Sequence, residues 1–566
     1  MRLVITLAII CLFNSIANSQ CGETGFYPLP NDGIPEYLNS DNDGHLIVTV
    51  RDNNSSRIMK IDHARNILQQ QFLGGSNDYA QIVDIAIDHD NNVYVCGSFQ
   101  QSIDFGSGFS FSTSGGTTKS LFVAKLDHDL QPIWAEVSTN PTYSSGGGDD
   151  VAHSVTVDSL GGLYLMSEVN HDFQFQNADT LLSTAGELIL LSKLNSNTGQ
   201  MIWHSWQMSN NSSTPDLLQV SELGGVYEIV NFVANYTDQL GTTYYTGSPS
   251  YGVVNSLVIY HDSMGVQSWA RHIEGGGYVK SCDINEFGDL ALFGSIRDTL
   301  ALASDTLFSP YETAMFYISL DTVGNTQEIE RILTSNHTNH IVVGNSSLDY
   351  LENGEFLIAG CTNEQINFNG IVQSTTNPID MTSFVARYDN NFTPIWSKTF
   401  GEGNYFGVEG VEELNDCSAY YFGRSWSYFN FEDSDSVDRP SEFIPVLIEF
   451  DLETGELADG QSGGGYGSVN DPFGPNGVQG SSASLNDELS GVRLIVYPNP
   501  SEDLLNVQFE SPKAFEWTLI DSRGQLLKSG ESLNTVKIGM SEFSSGLYLI
   551  RIDDGSSAIT RKIIKK

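Results

Sequence analysis

The sequence predicts an all-β protein in which a seven-bladed β-propeller precedes a small C-terminal β-sandwich. Short apolar runs bounded by Gly, Asn, Asp and Ser recur along all 566 residues, which is typical of strands joined by tight turns. A pattern of about 65 residues repeats seven times over residues 34–458, and a different pattern occupies the end of the chain. The length exceeds that of one ordinary domain, which agrees with this division.

The first landmark of the repeat is an apolar strand that ends in Asp or Asn and is followed by a polar turn. Four copies carry a tryptophan seven or eight residues after that Asp or Asn: Trp134, Trp203, Trp269 and Trp396. Weaker copies end at Asp62, Asp321 and Asp451. An Asp or Asn side chain here can hydrogen-bond the backbone two residues on, and so begin a turn.

The second landmark is a hairpin that precedes each of these strands, as in DIAIDHDNNVYVCGSF (84–99) and SVTVDSLGGLYLMSEV (154–169). Each repeat therefore predicts four antiparallel strands, with an insertion between the second and third. Strands such as LFVAKL are apolar on both faces, so each sheet needs a neighbour on either side. A closed propeller satisfies this requirement. An array of β-sandwiches is the alternative, which the regular spacing without linkers disfavours.

The segment 74–134, GGSNDYAQIVDIAIDHDNNVYVCGSF followed by LFVAKLDHDLQPIW, resembles the repeats of bacterial seven-bladed propellers. Residues 150–206 and 344–400 show the same resemblance, which fades in the fifth and seventh repeats. The resemblance implies the fold, and its family includes exported proteins, some of them adhesive.

The N-terminus has the pattern of a signal peptide, residues 1–19. Arg2 precedes the apolar run Leu3 to Phe13, and small residues Ala17 and Ser19 stand before a cleavage site between Ser19 and Gln20. An N-terminal segment, 20–33, follows it. Since Asn18-Ser19-Gln20 does not resemble a lipobox, we do not expect lipidation at Cys21. No other apolar run is long enough for a transmembrane segment.

The C-terminal region begins with residues 459–490, a Gly-, Ser- and Asn-rich flexible linker. Residues 491–566 then predict a β-sandwich that resembles the type A sorting domain of the Bacteroidetes type IX secretion system. Its motif residues are Tyr497, Pro498, Asn499, Pro500, Asp503, Asp521 to Gly524, Gly546, Leu547 and Tyr548, before a basic end. The resemblance implies passage through the periplasm, recognition by the translocon and its sorting protease, and a secreted or outer-surface location.

No constellation for catalysis, cofactor or metal binding stands out in the sequence. The net charge of −44 disfavours nucleic acid and anionic membranes as partners. The runs 41–44 and 88–92 resemble the start of calcium loops, but hairpin turns explain their Asp and Asn residues. Thr198-Gly199 resembles a turn of quinoprotein propellers, which we attribute to shared hairpin geometry. The five cysteines after residue 20 show no CxxC spacing, and we expect buried thiols. A single disulfide is the alternative, and the sequence does not identify its two cysteines.

Two functions fit this architecture. The first is a binding or adhesion protein with a glycan or protein ligand, supported by aromatic insertions such as Tyr244-Tyr245-Thr246 and residues 425–429. The alternative is a secreted hydrolase or lyase that acts on polysaccharide or peptide at the propeller funnel. We favour binding, because the repeats lack catalytic spacing.

Overall fold

The structure, a computed structural model, is composed of β-strands joined by turns. It describes residues 26–28, 34–52, 55–62, 66–74, 79–113, 118–139, 149–175, 181–209, 213–221, 224–246, 254–285, 288–303, 305–335, 341–342, 347–351, 354–362, 365–369, 371–373, 381–403, 406–415, 418–432, 435–452, 454–455, 488–489, 492–497, 504–509, 514–521, 526–533, 535–541, 543–544, 546–553 and 558–565. Within these ranges no helix has the length and apolar character needed to cross a membrane. The chain divides into an N-terminal unit, Met1–Gly463, and a C-terminal unit, Gly464–Lys566.

The N-terminal unit begins with β1 (Phe26–Pro28) and continues with seven repeats. Repeats 1 to 3 contain β2 (Ile34–Ser40), β3 (Leu46–Asp52), β4 (Ser55–Ile61) and β5 (Ile67–Leu73); β6 (Ala80–Ile87), β7 (Val93–Phe99), β8 (Ser102–Asp104), β9 (Ser110–Ser112), β10 (Ser120–Leu126) and β11 (Pro132–Thr139); and β12 (Val151–Val157), β13 (Gly162–Phe175), β14 (Leu181–Asn195) and β15 (Met201–Ser209).

Repeats 4 to 7 follow the same order. They contain β16 (Ser213–Val220), β17 (Val226–Phe232), β18 (Asn235–Thr237), β19 (Thr243–Tyr245), β20 (Asn255–His261) and β21 (Gln267–Glu274); β22 (Gly277–Ile284), β23 (Leu290–Leu302), β24 (Asp305–Leu320) and β25 (Thr326–Ser335); β26 (Ile341–Val342), β27 (Leu348–Tyr350), β28 (Phe356–Thr362), β29 (Ile366–Phe368), β30 (Ile371–Gln373), β31 (Met381–Tyr388) and β32 (Pro394–Gly403); and β33 (Phe406–Asn415), β34 (Ser418–Glu432) and β35 (Asp435–Asp451).

The turns form as their Asp residues predict. Asp88 Oδ1 accepts the backbone N–H groups of Asp90 and Asn92 at 3.0 and 2.9 Å. Asp262 makes the same two bonds to Met264 and Val266. These carboxylates replace backbone partners that a tight turn leaves unpaired. The chain can therefore reverse direction sharply after each apolar strand.

The fourth strand of repeat 7 comes from the opposite end of the unit. β1 pairs antiparallel with β35, with Phe26 opposite Ile448 and Pro28 opposite Val446. The sequence analysis had placed residues 20–33 outside the repeats. A three-residue strand that ends in proline has no periodicity to reveal it, so only the pairing identifies it.

The outer strands of five repeats are extended by the insertion of the next repeat. Ser138 of β11 lies opposite Phe175 of β13, and Met208 of β15 lies opposite Thr237 of β18. The pairs β21–β23, β25–β29 and β32–β34 repeat this arrangement. The insertions thus cover part of each outer edge, which reduces edge-to-edge association.

The innermost strands contact one another in sequence. The contacting pairs are β2–β6, β6–β12, β12–β16, β16–β22, β22–β27, β27–β33 and β33–β2. The all-β prediction is confirmed. Among the described strands no hydrogen-bonded sheet closes on itself, so the seven-bladed propeller stays a prediction here.

A tryptophan crosses each of four boundaries between repeats. The indole N–H groups donate to backbone carbonyl oxygens in the turn after the third strand of the next repeat: Trp134 to Ser196 (3.0 Å), Trp203 to Ser263 (3.1 Å), Trp269 to Thr322 (3.1 Å) and Trp396 to Leu452 (3.0 Å). Each ring lies over a glycine of that turn: Gly199, Gly265, Gly324 and Gly455, respectively. Glycine is required because its φ is positive and a Cβ would lie 2.5–2.8 Å from the ring.

The C-terminal unit contains two four-stranded sheets. Their strands are β36 (Glu488–Leu489), β37 (Val492–Tyr497), β38 (Leu504–Phe509), β39 (Ala514–Asp521), β40 (Leu526–Leu533), β41 (Thr535–Gly539), β42 (Gly546–Asp553) and β43 (Ala558–Lys565), in the orders β36-β37-β38-β41 and β40-β39-β42-β43. Leu505 and Val507 of the first sheet share one hydrophobic core with Leu519 and Ile550 of the second.

Replacing Gly265 with alanine tests the tryptophan contact. At Gly265 (φ 81°) a Cβ would lie 2.7 Å from the Trp203 ring, whereas at Gly241 (φ 80°) it would meet nothing within 4 Å. We expect Gly241→Ala to cost about 1–2 kcal/mol of unfolding free energy from backbone strain alone. We expect Gly265→Ala to cost about 1–3 kcal/mol more, because the ring must move. Urea unfolding of both variants measures the difference, and equal losses would contradict the packing role.

Removing β1 tests its contribution to repeat 7. A mature chain without residues 20–33 loses the backbone pairing of β35 with Phe26–Pro28, so we expect a lower melting temperature. A chain without residues 20–25 retains β1 and serves as the control. Differential scanning calorimetry compares the three proteins, and identical melting of the two truncations would show that β1 does not stabilise the unit.

Candidate functional site

The candidate site is a cavity of about 310 Å³ that is lined by the innermost strands of all seven repeats. Its wall residues come from β2, β6, β12, β16, β22, β27 and β33, and include Tyr37, Asp84, His153, Gln219, Asp283, Asp349 and Glu412. Six of these strands have a β-bulge, for example between Ile82 and Asp84 of β6. A bulge changes which side chains face the next repeat.

The residue that follows the bulge hydrogen-bonds the next innermost strand in repeats 2 and 3. Asp84 Oδ2 accepts the hydroxyl of Ser154 at 2.7 Å and the N–H of Val155 at 2.9 Å. Ser154 Oγ in turn accepts the N–H of Leu218 at 3.1 Å. Side-chain acceptors therefore replace the backbone ladder that neighbouring innermost strands do not form.

Three carboxylates continue this arrangement through repeats 5, 6 and 7. Asp283 Oδ2 accepts the N–H of Tyr350 at 3.0 Å, and Asp349 Oδ2 accepts the N–H of Glu413. Glu412 Oε1 accepts the Ser40 hydroxyl at 2.8 Å, which connects repeat 7 to repeat 1. We call Asp283, Asp349 and Glu412 the carboxylate arc.

The arc holds its protons more tightly than ordinary carboxyl groups do. Burial raises the pKa of Asp283 to about 6 and that of Glu412 to about 7, although hydrogen bonds from Tyr350 and Ser40 oppose the shifts. Burial and the charges of Glu412 and Asp283 raise the pKa of Asp349 well above its usual range. Like charges on adjacent strands cannot all ionise cheaply, so the arc retains protons near neutral pH.

The described lining residues include neither lysine nor arginine. The cavity therefore favours neutral or cationic ligands over anionic ones. Its carboxyl groups could donate or accept protons, but each already accepts a backbone N–H group. The arrangement thus combines acid–base capacity with a structural use of the same oxygens.

The turns that resemble calcium loops have other partners for their carboxylates. Donor atoms of Asp41, Asp43 and His45 lie within 4.8 Å of one another. However, the Lys60 ammonium lies 2.7 Å from Asp41 Oδ2, and the turn N–H groups of Asp43 and His45 bond Oδ1. The carboxylate of Asp41 is therefore used by the turn and by Lys60.

Of the other residues that the sequence highlights, some pack against neighbours and some are exposed. Gly199, of the quinoprotein-like Thr198-Gly199, lies under Trp134 of the preceding repeat. Cys96 and Cys361 belong to hydrophobic clusters, and Cys96 and Cys282 have free thiols. Tyr245 is exposed, whereas the Tyr244 hydroxyl bonds Asp238. The side chains of residues 425–429 lie outside the described residues, as do Cys21 and Cys417.

Most of the sorting-motif residues that the structure describes lie in the second sheet of the C-terminal unit, whereas Tyr497 lies in the first. Asp521, at the end of β39, lies opposite Tyr548 of β42, and the Tyr548 hydroxyl donates to the Ser544 carbonyl at 2.7 Å. Gly546 begins β42 and Tyr497 ends β37. Pro498, Asn499, Pro500, Asp503 and Gly524 lie outside the described residues, as do Ser19 and Gln20 of the cleavage site.

Residues 495–566 match the family of secretion system C-terminal sorting domains. The chain ends in a type IX secretion sorting domain. This sorting domain directs the protein through the type IX system to the cell surface or the extracellular space. It also implies an interaction with that secretion machinery. No curated protein matches the sequence of the chain.

Several solved structures are similar to the chain at low identity. A protein of unknown function from Bacteroides caccae is 8% identical, with 67% of this chain and 94% of that one covered and a TM-score of 0.31. The extracellular domain of a putative one component system from B. thetaiotaomicron is 9% identical, with 96% and 98% covered and a TM-score of 0.17. A puromycin hydrolase mutant is 8% identical, with 76% and 58% covered and a TM-score of 0.30. Scores this low support no functional argument.

Replacing Asp283 with asparagine tests the protonation of the arc. The raised pKa means that the folded protein binds this proton more tightly than the unfolded chain, so Asp283 costs stability as the pH rises from about 4 to 6. Asparagine can still accept the Tyr350 N–H and carries no charge. We expect Asp283→Asn to gain stability relative to the wild type between pH 4 and pH 7 in urea unfolding.

Asp104→Asn is the matched control with the opposite sign. The Ser110 hydroxyl and the Gly106 N–H lower the pKa of Asp104, so its charge stabilises the fold above pH 4. This variant should be less stable than the wild type by a constant amount between pH 4 and pH 7, and the deficit should shrink only as the pH falls below about 4. If the stability of Asp283→Asn relative to the wild type follows the same pH dependence as that of Asp104→Asn, Asp283 ionises as an ordinary carboxyl group.

Proposed function

We propose that residues 26–455 form a seven-bladed β-propeller that acts, after export, as a secreted or surface binding protein of the adhesion type. The observation that carries the proposal is the cycle of contacts from β2 through β6, β12, β16, β22, β27 and β33 back to β2. Residues 1–19 would be the signal peptide, 459–490 the linker and 491–566 the sorting domain.

Two further observations support a ring. Glu412 of repeat 7 bonds Ser40 of repeat 1, so the last and first innermost strands are joined directly. β1 supplies the fourth strand of repeat 7, which connects the start of the unit to its end. Both contacts join the two ends of the repeat array, whereas an open array would leave its ends apart.

The use of the cavity acids supports binding over catalysis. Asp84, Asp283, Asp349 and Glu412 each accept a backbone N–H group of the following repeat. A carboxylate held in this way is oriented by the fold and has fewer lone pairs for a substrate. We therefore assign these acids to the axis of the fold and look for the ligand surface elsewhere.

Exposed apolar side chains at turn tips offer such a surface. Leu160, Met264 and Val323 are 86%, 73% and 61% exposed, in turns of the consecutive repeats 3, 4 and 5. First-to-second-strand and third-to-fourth-strand turns lie at the same end of an antiparallel sheet, so all three lie at one face. Exposed apolar side chains grouped on one face mark protein or glycan contacts more often than isolated ones do.

An enzyme of the hydrolase or lyase type is the second candidate, favoured by the raised pKa values of Asp283 and Glu412. A carboxyl group that is protonated near neutral pH can act as a general acid. This candidate requires activity on a polysaccharide or peptide that is lost in Asp283→Asn or Glu412→Gln.

A glycan array and a bacterial cell-binding assay with the exported protein test the proposed function. We expect binding that falls at least tenfold when Leu160, Met264 and Val323 are replaced by serine, with little change in stability because all three are exposed. Serine at Leu68, Ile133 and Ile395, which are exposed on outer strands, is the control. No binding to any glycan or cell, or an equal loss in the control, would refute the assignment. Hydrolysis that requires Asp283 would favour the enzyme.

A further inference from the structure

The boundary between repeats 5 and 6 lacks the tryptophan that crosses four other boundaries. The strand register identifies the substituted position: Trp269 of β21 lies opposite Tyr260, and Glu328 of β25 lies opposite Ser319 in the same place. The receiving turn also differs. Phe392 of repeat 6 occupies the position of Gly265 and Gly324 in repeats 4 and 5, three residues after the turn aspartate.

A cavity of about 400 Å³ lies at this boundary. Its walls are Asn285, Asp289, Tyr317, Ser319, Gln327, Glu328, Tyr350, Gly354, Phe356, Asn390 and Phe392. Glu328, Gln327 and Asn390 are exposed, whereas Tyr317 and Phe356 are buried. The cavity therefore has polar groups at its mouth and aromatic rings at its base, and its volume suits a small ligand.

The aromatic rings at the base are packed against one another. The ring centroid of Phe392 lies 4.8 Å from that of Tyr317 and 5.8 Å from that of Phe356. The hydroxyls of Tyr317 and Tyr350 hydrogen-bond each other. These contacts fix the orientation of the Phe392 ring, so it is held in place before a ligand arrives.

Phe392 adopts a φ of 58°, which is unfavourable for a bulky side chain. The boundary between repeats 1 and 2 shows that such a residue can simply fill the gap. There Gln69 replaces the tryptophan, and Leu130, with a φ of 60°, is only 1% exposed. Phe392, in contrast to Leu130, remains half-buried at the edge of an open cavity. The strained residue therefore forms part of the cavity wall and does not fill the gap.

The charges around the cavity have one sign. Asp289 and Glu328 line it, and its described lining residues include no lysine, arginine or histidine. Burial and the neighbouring Asp321 raise the pKa of Asp289, and burial and Glu330 raise that of Glu328. Repulsion among these carboxylates would be relieved by a bound cation.

We propose that this cavity binds a small organic cation that bears an ammonium group. The half-buried ring of Phe392 would attract the cation, and Glu328 and Asp289 would neutralise it. Asn285, Gln327 and Asn390 add hydrogen-bonding groups for polar substituents. The site needs only that repeats 5 and 6 are neighbours, which the β25–β29 pairing provides, so it is independent of ring closure and of the adhesive function.

Calorimetric titration of the full mature chain tests the proposal with choline as the probe. Its neutral isostere 3,3-dimethylbutan-1-ol has the same shape without the charge, and N-acetylglucosamine represents a sugar. We expect choline to bind at least tenfold more tightly than the isostere, a ratio that corresponds to about 1.4 kcal/mol. Equal affinity for the isostere, binding of the sugar alone, or no binding of choline would each overturn the proposal.

Three variants locate the site. Glu328→Trp combined with Phe392→Gly recreates the tryptophan-over-glycine contact of the other boundaries, so we expect a stable fold and at least a tenfold loss of choline affinity. Glu328→Gln removes one charge with minimal change of shape and should also weaken choline binding. Glu330→Gln removes the same charge two residues away, outside the cavity, and should have a smaller effect. Choline binding unchanged in the first two variants would place the ligand elsewhere.

Discussion

The central strands of the repeats in the N-terminal unit are apolar on both faces, and this constraint decides how the repeats must associate. Central strands such as β7, β10, β17, β20 and β28 are buried along their whole length. Without neighbours, each sheet would expose two apolar surfaces to water, at a free-energy cost of about 25 cal/mol for each Å² of apolar surface. Each sheet therefore needs a neighbour on either side, and the side chains at the boundaries determine how those neighbours fit.

Two devices join the neighbours at opposite ends of the strand order. Near the outside, a tryptophan crosses the boundary, packs over a glycine and donates to a turn carbonyl. In the first strands, an acidic or hydroxyl side chain accepts a backbone N–H or a hydroxyl of the first strand of the next repeat. Both give a hydrogen-bond partner to a polar group that would otherwise be buried without one in the apolar boundary. Directional bonds of this kind fix the relative register of neighbouring sheets, which apolar contact alone leaves loose.

The repeats and their turns were predictable because their signals are local. An Asp after an apolar strand, a Gly at a turn, and a landmark every 59 to 68 residues are all visible in the sequence. The pairing of β1 was not predictable, because three residues have no period and their partner lies at the far end of the array. The cavity acids were also hidden, since the chain has 70 Asp and Glu residues, and the bulges that precede Asp84, Asp283 and Glu412 leave no mark in the sequence. Glu328 did leave a signal: aligned copies of the repeat show an acid where four others have tryptophan.

The pairing of β1 with β35 has a consequence for biogenesis. The strand that completes repeat 7 is among the first segments synthesised, and its partner emerges only after more than four hundred further residues. Contacts between such distant segments slow folding. Once β35 has formed, its free edge is a template for pairing with another chain until β1 docks on it. The outer edge of repeat 7 is therefore covered only after nearly all of the N-terminal unit has been synthesised.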